Sequence, residues 1–273
     1  KRHFLYPRFF DKIDNQPTVG YNINKINTEM YTGMKSITET ITTPVTLSCD
    51  VAVCGGGIAG ISAALAAARR GSDVLLIERE FAPGGLATLG LVTIYLPICD
   101  GMGHQVIYGI GEELLRLSIK HGCECKRPAP WLDGGSAEEK AAVRFQAGFN
   151  GPLFMLEAEK LLLDAGVRIL YGTQICSAVT DNGRIEALVI ENKSGRSAVE
   201  IKKAVVDATG DADIAAFAGA GTVLYGRGNT PAGWYYFIDY KESRCRLLAG
   251  AEITDEQAAA AQKNPKLPPD SRF

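Results

Sequence analysis

The sequence predicts an α/β fold built on a parallel sheet, and three apolar runs carry this prediction. Asp50–Cys54 leads through a glycine-rich turn into a helical pattern at Ile58–Arg70, and a second run follows at Asp73–Glu78. A strand, a helix and a strand in this order form a βαβ unit with parallel strands. The third run, Ala204–Ala208, also ends in a glycine-containing turn.

The remaining elements follow from local patterns. Phe81–Tyr108 is rich in Gly and Pro and has no clear period, so it is expected to be extended and irregular. Two helices are predicted at Ile110–His121 and Leu153–Ala165, each followed by a glycine. Ser136 and Glu139 have the spacing of a capping box for a short helix.

A β-meander is predicted between the second helix and the last buried strand. Asn182-Gly183 and Ser194-Gly195 separate β-rich runs, which is a hairpin signal. The predicted strands are Val167–Tyr171, Ile175–Thr180, Ile185–Glu191 and Ala198–Lys202, and a short helix is expected at Ile214–Ala218.

Composition restricts the class of protein. The chain has 273 residues, a net charge of -2, 46% hydrophobic residues and 22% charged residues. This is an ordinary globular composition, and the charge gives no reason to expect nucleic acid as a partner. Seven scattered cysteines fit a reducing compartment, so a cytoplasmic location is predicted. Cys123 and Cys125 are too close in sequence for a zinc knuckle, and no metal site is expected.

The chain is predicted to consist of three parts. Residues 1–49 begin polar and aromatic, without an apolar signal, and form an extension that is expected to be partly disordered. Residues 50–225 form the main domain, and residues 226–273 begin a second one, with a helix at Thr254–Gln262. Val51–Ala68 is uncharged and long enough to cross a bilayer, but its glycines favour a strand, a turn and a helix, so no membrane span is expected.

The first chemical motif is a GxGxxG made by Gly55, Gly57 and Gly60. In isolation this pattern is weak, but here it follows a strand and opens a helix, as dinucleotide binding requires. Gly55 allows the sharp turn, Gly57 lets the backbone approach a pyrophosphate, and Gly60 lets the helix pack against the strand. Glu78 ends the second strand at the distance expected for a carboxylate that binds ribose hydroxyls. The alternative is a glycine-rich turn with a solvated Glu at a strand end.

Two further motifs lie at the ends of strands. Gly84-Gly85, followed by Thr88, exposes backbone N–H groups soon after Glu78, although an ordinary loop would look the same in isolation. Gly210-Asp211 follows the last buried strand, where α/β sheets place ligands. Asp211 either caps the next helix or faces a bound ligand, and the two roles are compatible.

Taken together, these motifs resemble the FAD-dependent oxidoreductases of the glutathione-reductase-like fold, in particular the branch of fumarate-reductase-type flavoproteins. The resemblance covers residues 50–225 and includes the glycine motif with its distal acid, the glycine pair, the meander and the Ala208–Asp211 turn. It implies a Rossmann-like domain with FAD as cofactor. The implied FAD-binding residues are Gly55, Gly56, Gly57, Ile58, Ala59, Gly60, Glu78, Arg79, Gly84, Gly85, Ala87, Thr88, Ile175, Gly210 and Asp211.

The same resemblance implies a substrate or cap domain after Asp213 and a closing segment over the flavin. Only a short stretch follows here, so the chain is expected to be a fragment of a longer protein. His104 is the candidate proton partner, because it lies in the segment that should pass the flavin ring. The alternative for His104 is a surface loop histidine. Further candidates near the flavin or the substrate are Cys99, Asp100, Tyr108, Trp234, Tyr235 and Tyr236.

The sequence thus predicts a flavin-dependent enzyme that transfers a hydride or electrons to or from a small organic substrate, with an electron donor or acceptor as partner. One alternative is a non-catalytic or incomplete flavin module. A second is an NAD-dependent dehydrogenase, which predicts further βαβ units where the sequence has a glycine loop and a meander.

Overall fold

A computed structural model describes residues 38–221 and the strands at 232–238 and 243–249. Residues 38–221 belong to one compact unit, and the two later strands belong to another. In the first unit the strands are β1 (Val45–Cys54), β2 (Val74–Ile77), β3 (Ile94–Tyr95), β4 (Ala147–Gly148), β5 (Arg168–Leu170), β6 (Gln174–Asp181), β7 (Arg184–Asn192) and β8 (Gly195–Asp207). The helices are α1 (Ile58–Ala68), α2 (Ile110–Ser118), α3 (Ala129–Leu132), α4 (Ala137–Ala142), α5 (Gly151–Asp164) and α6 (Asp213–Phe217).

The main sheet has six strands in the order β5-β2-β1-β8-β7-β6. Strands β5, β2, β1 and β8 are parallel, whereas β7 and β6 are antiparallel additions. Strands β3 and β4 form a separate antiparallel pair. This arrangement confirms the predicted Rossmann-like fold with a parallel sheet and a β-meander.

The boundary between the meander and the last parallel strand was predicted incorrectly. Ala198–Lys202 and Ala204–Ala208 are not two strands, because the single strand β8 contains the first run and all of the second except Ala208. The register between β1 and β8 shifts between Cys49 and Val51 of β1. This shift accommodates Lys202 and Lys203 without ending β8. The first part of β8 lies between β1 and β7, and its last part pairs with β1 alone. The meander is therefore continuous with the parallel sheet.

The sheet has an apolar core on each face because side chains alternate along its strands. Val51 and Val53 of β1 pack in one cluster with Leu65 of α1. Ala52 and Cys54 point the other way and pack with the meander and α6. All four of these β1 residues are at most 9% exposed. Both faces of β1 are thus buried over Val51–Cys54, as the apolar sequence there predicts.

Helix ends follow local chemistry. Helix α5 begins at Gly151 because the Asn150 side chain accepts a hydrogen bond from the Leu153 N–H. Both hydrogen bonds of the predicted capping box at Ser136 are present in α4. Helix α2 ends at Ser118 rather than at His121. His121 lies beyond the end of α2, and its Nε2 is 2.7 Å from the carboxylate of Glu157.

The segment 81–108 is irregular, as predicted, apart from β3 and a 3-10 turn at Gly85–Ala87. The uncharged stretch Val51–Ala68 folds as the expected strand, turn and helix. No helix within the described ranges has both the length and the apolar character to cross a membrane.

The second unit contains an antiparallel hairpin of β9 (Ala232–Ile238) and β10 (Ser243–Ala249). Its register pairs Ile238 with Ser243 and Ala232 with Ala249. The helix predicted at Thr254–Gln262 lies outside the described residues.

Candidate functional site

A groove of about 970 Å³ lies where β1, β2 and β8 end. Parallel α/β sheets bind ligands at this carboxyl edge of the strands. Three turns form most of its wall, at residues 55–59, 84–90 and 208–214. The end of β2 with the residues after it, 77–80, and the start of β6 complete the wall. The sequence motifs described above therefore meet in one place.

The glycines of the first turn have different structural roles. Gly55 has a φ of 101°, and a Cβ there would lie 2.4 Å from the Ala208 carbonyl oxygen. A Cβ on Gly60 would lie 1.8 Å from the Gly55 carbonyl oxygen. At Gly57, by contrast, φ is -67° and a Cβ would meet nothing within 4 Å. The fold itself requires Gly55 and Gly60, whereas Gly57 leaves space open on the groove side.

The N-terminus of α1 supplies free donors to this space. Its N-cap is Gly57, so no N-cap side chain bonds to the first N–H groups of the helix. The first turn of the helix carries no acidic residue. The first backbone bond of the helix runs from the Ile61 N–H to the Gly57 carbonyl over 2.9 Å. The earlier N–H groups of a helix have no partner within it, and they form the positive end of its dipole. This arrangement fits a phosphate group.

Glu78 lines the groove directly after β2. Its side chain is only 7% exposed. Oε2 accepts a hydrogen bond of 2.5 Å from the Gly56 N–H, and Oε1 accepts one of 2.8 Å from the Glu80 N–H. Each carboxylate oxygen keeps a second lone pair for a ligand hydroxyl. The carboxylate thus joins the glycine turn to β2 and still has capacity to bind a sugar.

The second glycine motif packs directly on the first. The Gly84 N–H donates to the Gly56 carbonyl over 2.7 Å, and Gly84 forms an isolated bridge with Gly57. Gly84 and Gly85 both have positive φ values, of 108° and 52°. A Cβ on Gly85 would approach the Cα of Gly57 to 3.1 Å. Backbone contact between the two motifs therefore depends on glycine.

Asp211 does not cap α6, which corrects one of the two roles considered for it. The N-cap is Ala212, at a φ of 60°, and no side chain at this position bonds to the helix end. An N-cap residue directly precedes the helix, and Asp211 lies one residue too early. Asp211 instead lines the groove together with Gly210, whose φ is 90°.

Asp207 and Thr209 make the contacts expected of a cap. One oxygen of Asp207 accepts a 3.0 Å bond from the Ala215 N–H, and the Thr209 hydroxyl accepts one of 3.0 Å from the Asp213 N–H. Burial raises the pKa of Asp207, but the hydrogen bonds from Ala215 and Thr209 outweigh this, and the pKa lies below its usual value. Sequence reasoning missed Asp207, although an Asp two residues before a Thr is a signal for a local turn.

Most of the predicted cofactor-binding residues line the groove. These are Gly55, Gly57, Ile58, Ala59, Glu78, Arg79, Gly84, Gly85, Ile175, Gly210 and Asp211. The other predicted positions do not line the groove and are buried, namely Gly56, Gly60, Ala87 and Thr88. Leu86, Thr209 and Asp213 belong to the motifs and also line the groove, although no cofactor contact was predicted for them. Lining residues outside the motifs include Glu80, Leu89, Gly90, Thr173 and Gln174. The residues outside the motifs have no sequence pattern of their own.

The charged side chains in the groove wall are mostly acidic. Glu78, Glu80, Asp211 and Asp213 contribute carboxylates, and Arg79 contributes a guanidinium group. The Arg79 side chain is 65% exposed and lies 3.3 Å from Glu80. A bound pyrophosphate would therefore depend on the N–H groups of α1 more than on a cationic side chain.

His104 is not among the residues that line the groove. Its side chain is 75% exposed, and Nδ1 lies 2.8 Å from Oδ2 of Asp100. Hydrogen bonds to the Asp100 carboxylate lower its pKa. The Met102 N–H has the largest effect, and the His104 side chain has the next largest. Cys99, a further candidate from the same segment, accepts a hydrogen bond from the Phe145 N–H over 3.2 Å. The catalytic role of His104 stays a prediction.

Comparison with known proteins identifies the family. Residues 50–243 match the model of a family described as FAD dependent oxidoreductase. This chain belongs to that family. Its cofactor is accordingly FAD, whose diphosphate and ribose groups fit the open space at Gly57, the start of α1 and the carboxylate of Glu78.

Individual relatives of this chain are distant, and the chain spans less than half the length of each of the three relatives described next. A thioredoxin reductase from Ureaplasma parvum serovar 3 is 34% identical over 70 residues, which are 26% of this chain and 23% of the relative. A geranylgeranyl bacteriochlorophyll reductase-like protein from Thermoplasma acidophilum is 17% identical, with 70% of this chain and 47% of that chain covered and a TM-score of 0.46. A flavocytochrome c3 fumarate reductase is 15% identical, with coverages of 74% and 39% and a TM-score of 0.38. Sequence identities and TM-scores this low give no information about the substrate of this chain.

Proposed function

We propose that this chain binds FAD along the groove and forms the cofactor-binding part of an oxidoreductase that acts on a small organic molecule. The observation that carries the proposal is the open backbone at Gly57, where the N-terminus of α1 reaches the groove. The buried carboxylate of Glu78 lies in the same groove. These features offer one partner for a diphosphate and another for the adjoining ribose.

Each motif has a distinct task in this proposal. The N–H groups at the start of α1 bind the pyrophosphate, and Gly57 allows its close approach. Glu78 accepts a hydrogen bond from a ribose hydroxyl while it holds the Gly56 N–H. The turn with Gly210 and Asp211 faces the part of the cofactor that carries the flavin. FAD supplies the hydride or electron transfer, and the protein orients it and excludes water.

The first test adds a single methyl group at Gly57. The change Gly57→Ala should leave the fold intact, because the backbone angle suits any residue and the new Cβ meets nothing within 4 Å. The same Cβ would occupy the space that a pyrophosphate needs. Fluorescence titration should show FAD affinity reduced at least about tenfold, which corresponds to about 1.4 kcal/mol.

A matched control is Gly221→Ala. Among the residues that the structure describes, a Cβ at Gly221 also meets nothing within 4 Å, and Gly221 does not line the groove. It should bind FAD like the wild type. Equal affinities for all three proteins would contradict the proposed site. A wild-type protein that binds NAD but not FAD would favour the dehydrogenase alternative. Bound flavin that no donor can reduce would favour the non-catalytic module.

A further inference from the structure

The turn after β8 is held by side chains outside the motifs that identify the cofactor site. Asp207 is the last residue of β8, and its backbone pairs in register with Cys54, just before the first glycine turn. Its side chain is not part of the groove wall. The next residues, from Ala208 to Asp211, do form that wall. Asp207 therefore stands directly behind one side of the groove.

The Asp207 carboxylate organises this turn through several hydrogen bonds. Oδ1 accepts a bond of 2.7 Å from the Thr209 hydroxyl and one of 3.1 Å from the Thr209 N–H. Oδ2 accepts a bond of 3.0 Å from the Ala215 N–H in α6. The Thr209 hydroxyl in turn accepts from the Asp213 N–H over 3.0 Å. One carboxylate thus links the end of β8, the turn and the start of α6.

The turn needs such support because its backbone is strained. Gly210 has a φ of 90°, and Ala212, which carries a side chain, has a φ of 60°. A non-glycine residue in the left-handed region costs free energy, so surrounding contacts must hold it there. The turn also touches the first glycine motif, since a Cβ on Gly55 would strike the Ala208 carbonyl. A shift of the turn would consequently change the shape of the groove.

The geometry points to Asp207 as a positioning residue of the cofactor site, which acts through Thr209 to hold the turn from Ala208 to Asp213 in its binding conformation. This inference rests on the proposed function, because it assigns a role in the FAD site described above. Asp207 itself does not contact the groove. Its effect on the cofactor is therefore expected to pass through the turn.

The test compares Asp207→Ala and Asp207→Asn with Asp50→Asn. Asp50 is a suitable control because its carboxylate also accepts a backbone bond, from the Asp73 N–H, and one from Lys203, yet it does not line the groove. All three changes remove charged hydrogen-bond acceptors from the β1 and β8 region. Only the Asp207 variants should weaken FAD binding, by about tenfold or more for alanine and by less for asparagine, which keeps one acceptor oxygen.

Two measurements separate positioning from general loss of stability. Hydrogen exchange of the Ala215 and Asp213 N–H groups in the FAD-free protein should accelerate in Asp207→Ala and stay unchanged in Asp50→Asn. The pair Thr209→Val and Thr209→Ser tests the link, because serine keeps the hydroxyl and should retain FAD affinity, whereas valine should lose it.

Wild-type FAD binding together with unchanged affinity in Asp207→Asn and Asp207→Ala would overturn the inference and leave the proposed function intact. Should Asp207→Ala fail to fold, Asp207→Asn and the Thr209 pair decide the question by the same criteria. A wild-type protein that binds no FAD would instead overturn the proposed function, and the positioning role would fall with it.

Discussion

At the scale of single residues, glycines that look alike in the sequence differ in what they do. Gly55 and Gly60 face neighbouring backbone so closely that no side chain fits, whereas Gly57 faces open space. Sequence reasoning assigned these roles from the motif and its position between a strand and a helix. It could not indicate Asp207, because the bonds of that side chain depend on how β8 and α6 meet in the folded protein.

Gly60→Ala should destabilise the protein even though Gly60 lies in a helix. Alanine usually stabilises a helix relative to glycine by about 1 kcal/mol. Here the new Cβ would lie 1.8 Å from the Gly55 carbonyl oxygen, so the helix or the turn must move. We expect a loss of more than about 2 kcal/mol in the free energy of unfolding, measured by urea titration.

Gly151→Ala in α5 is the control for this change. The nearest atom to its new Cβ would be the Thr93 side chain at 3.3 Å, which needs to move only slightly. Its stability should stay close to that of the wild type. A Gly60→Ala protein as stable as this control would show that the close packing of α1 on the turn is not required.

At the scale of elements, the strands and helices were largely predictable where a local pattern determines them. The capping box of α4 and the βαβ unit are examples. The continuity of β8 was not predictable in this way, because two lysines interrupt its apolar pattern. Pairing with β1 maintains the strand through that interruption, and such long-range pairing leaves no local signal.

The contribution of Asp207 to stability should depend on pH with a definite sign. Its pKa in the folded protein is lowered, so its hydrogen bonds stabilise the fold above the pKa of the unfolded chain, about 3.9. This contribution is lost as the pH falls through the folded-state pKa. Wild type should exceed Asp207→Asn in stability at neutral pH, and the difference should shrink below about pH 4. A difference that is independent of pH, in urea unfolding followed by circular dichroism, would contradict this assignment.

At the scale of the whole molecule, the sequence predicted where the groove lies because the ends of parallel strands meet at one edge. It did not predict the position of His104, since an irregular segment has no period from which to infer its path. In the structure His104 pairs with Asp100 and does not line the groove. Its distance from a bound flavin depends on the fold of that segment and cannot be derived from its place in the sequence.

FAD should stabilise the folded protein if the groove binds it. A ligand that binds only the folded state, at a free concentration of about 100 times its Kd, adds about 2.7 kcal/mol to the free energy of unfolding. The melting temperature should therefore rise with FAD in the wild type and in Gly221→Ala. At the same FAD concentration, the rise should be smaller in Gly57→Ala and in Asp207→Ala.

The most direct measurement is a crystal structure of the protein with FAD. We expect pyrophosphate oxygens within hydrogen-bonding distance of the N–H groups at the start of α1, and a ribose hydroxyl on the carboxylate of Glu78. FAD bound at another surface, or bound here with its diphosphate away from Gly57, would contradict the account.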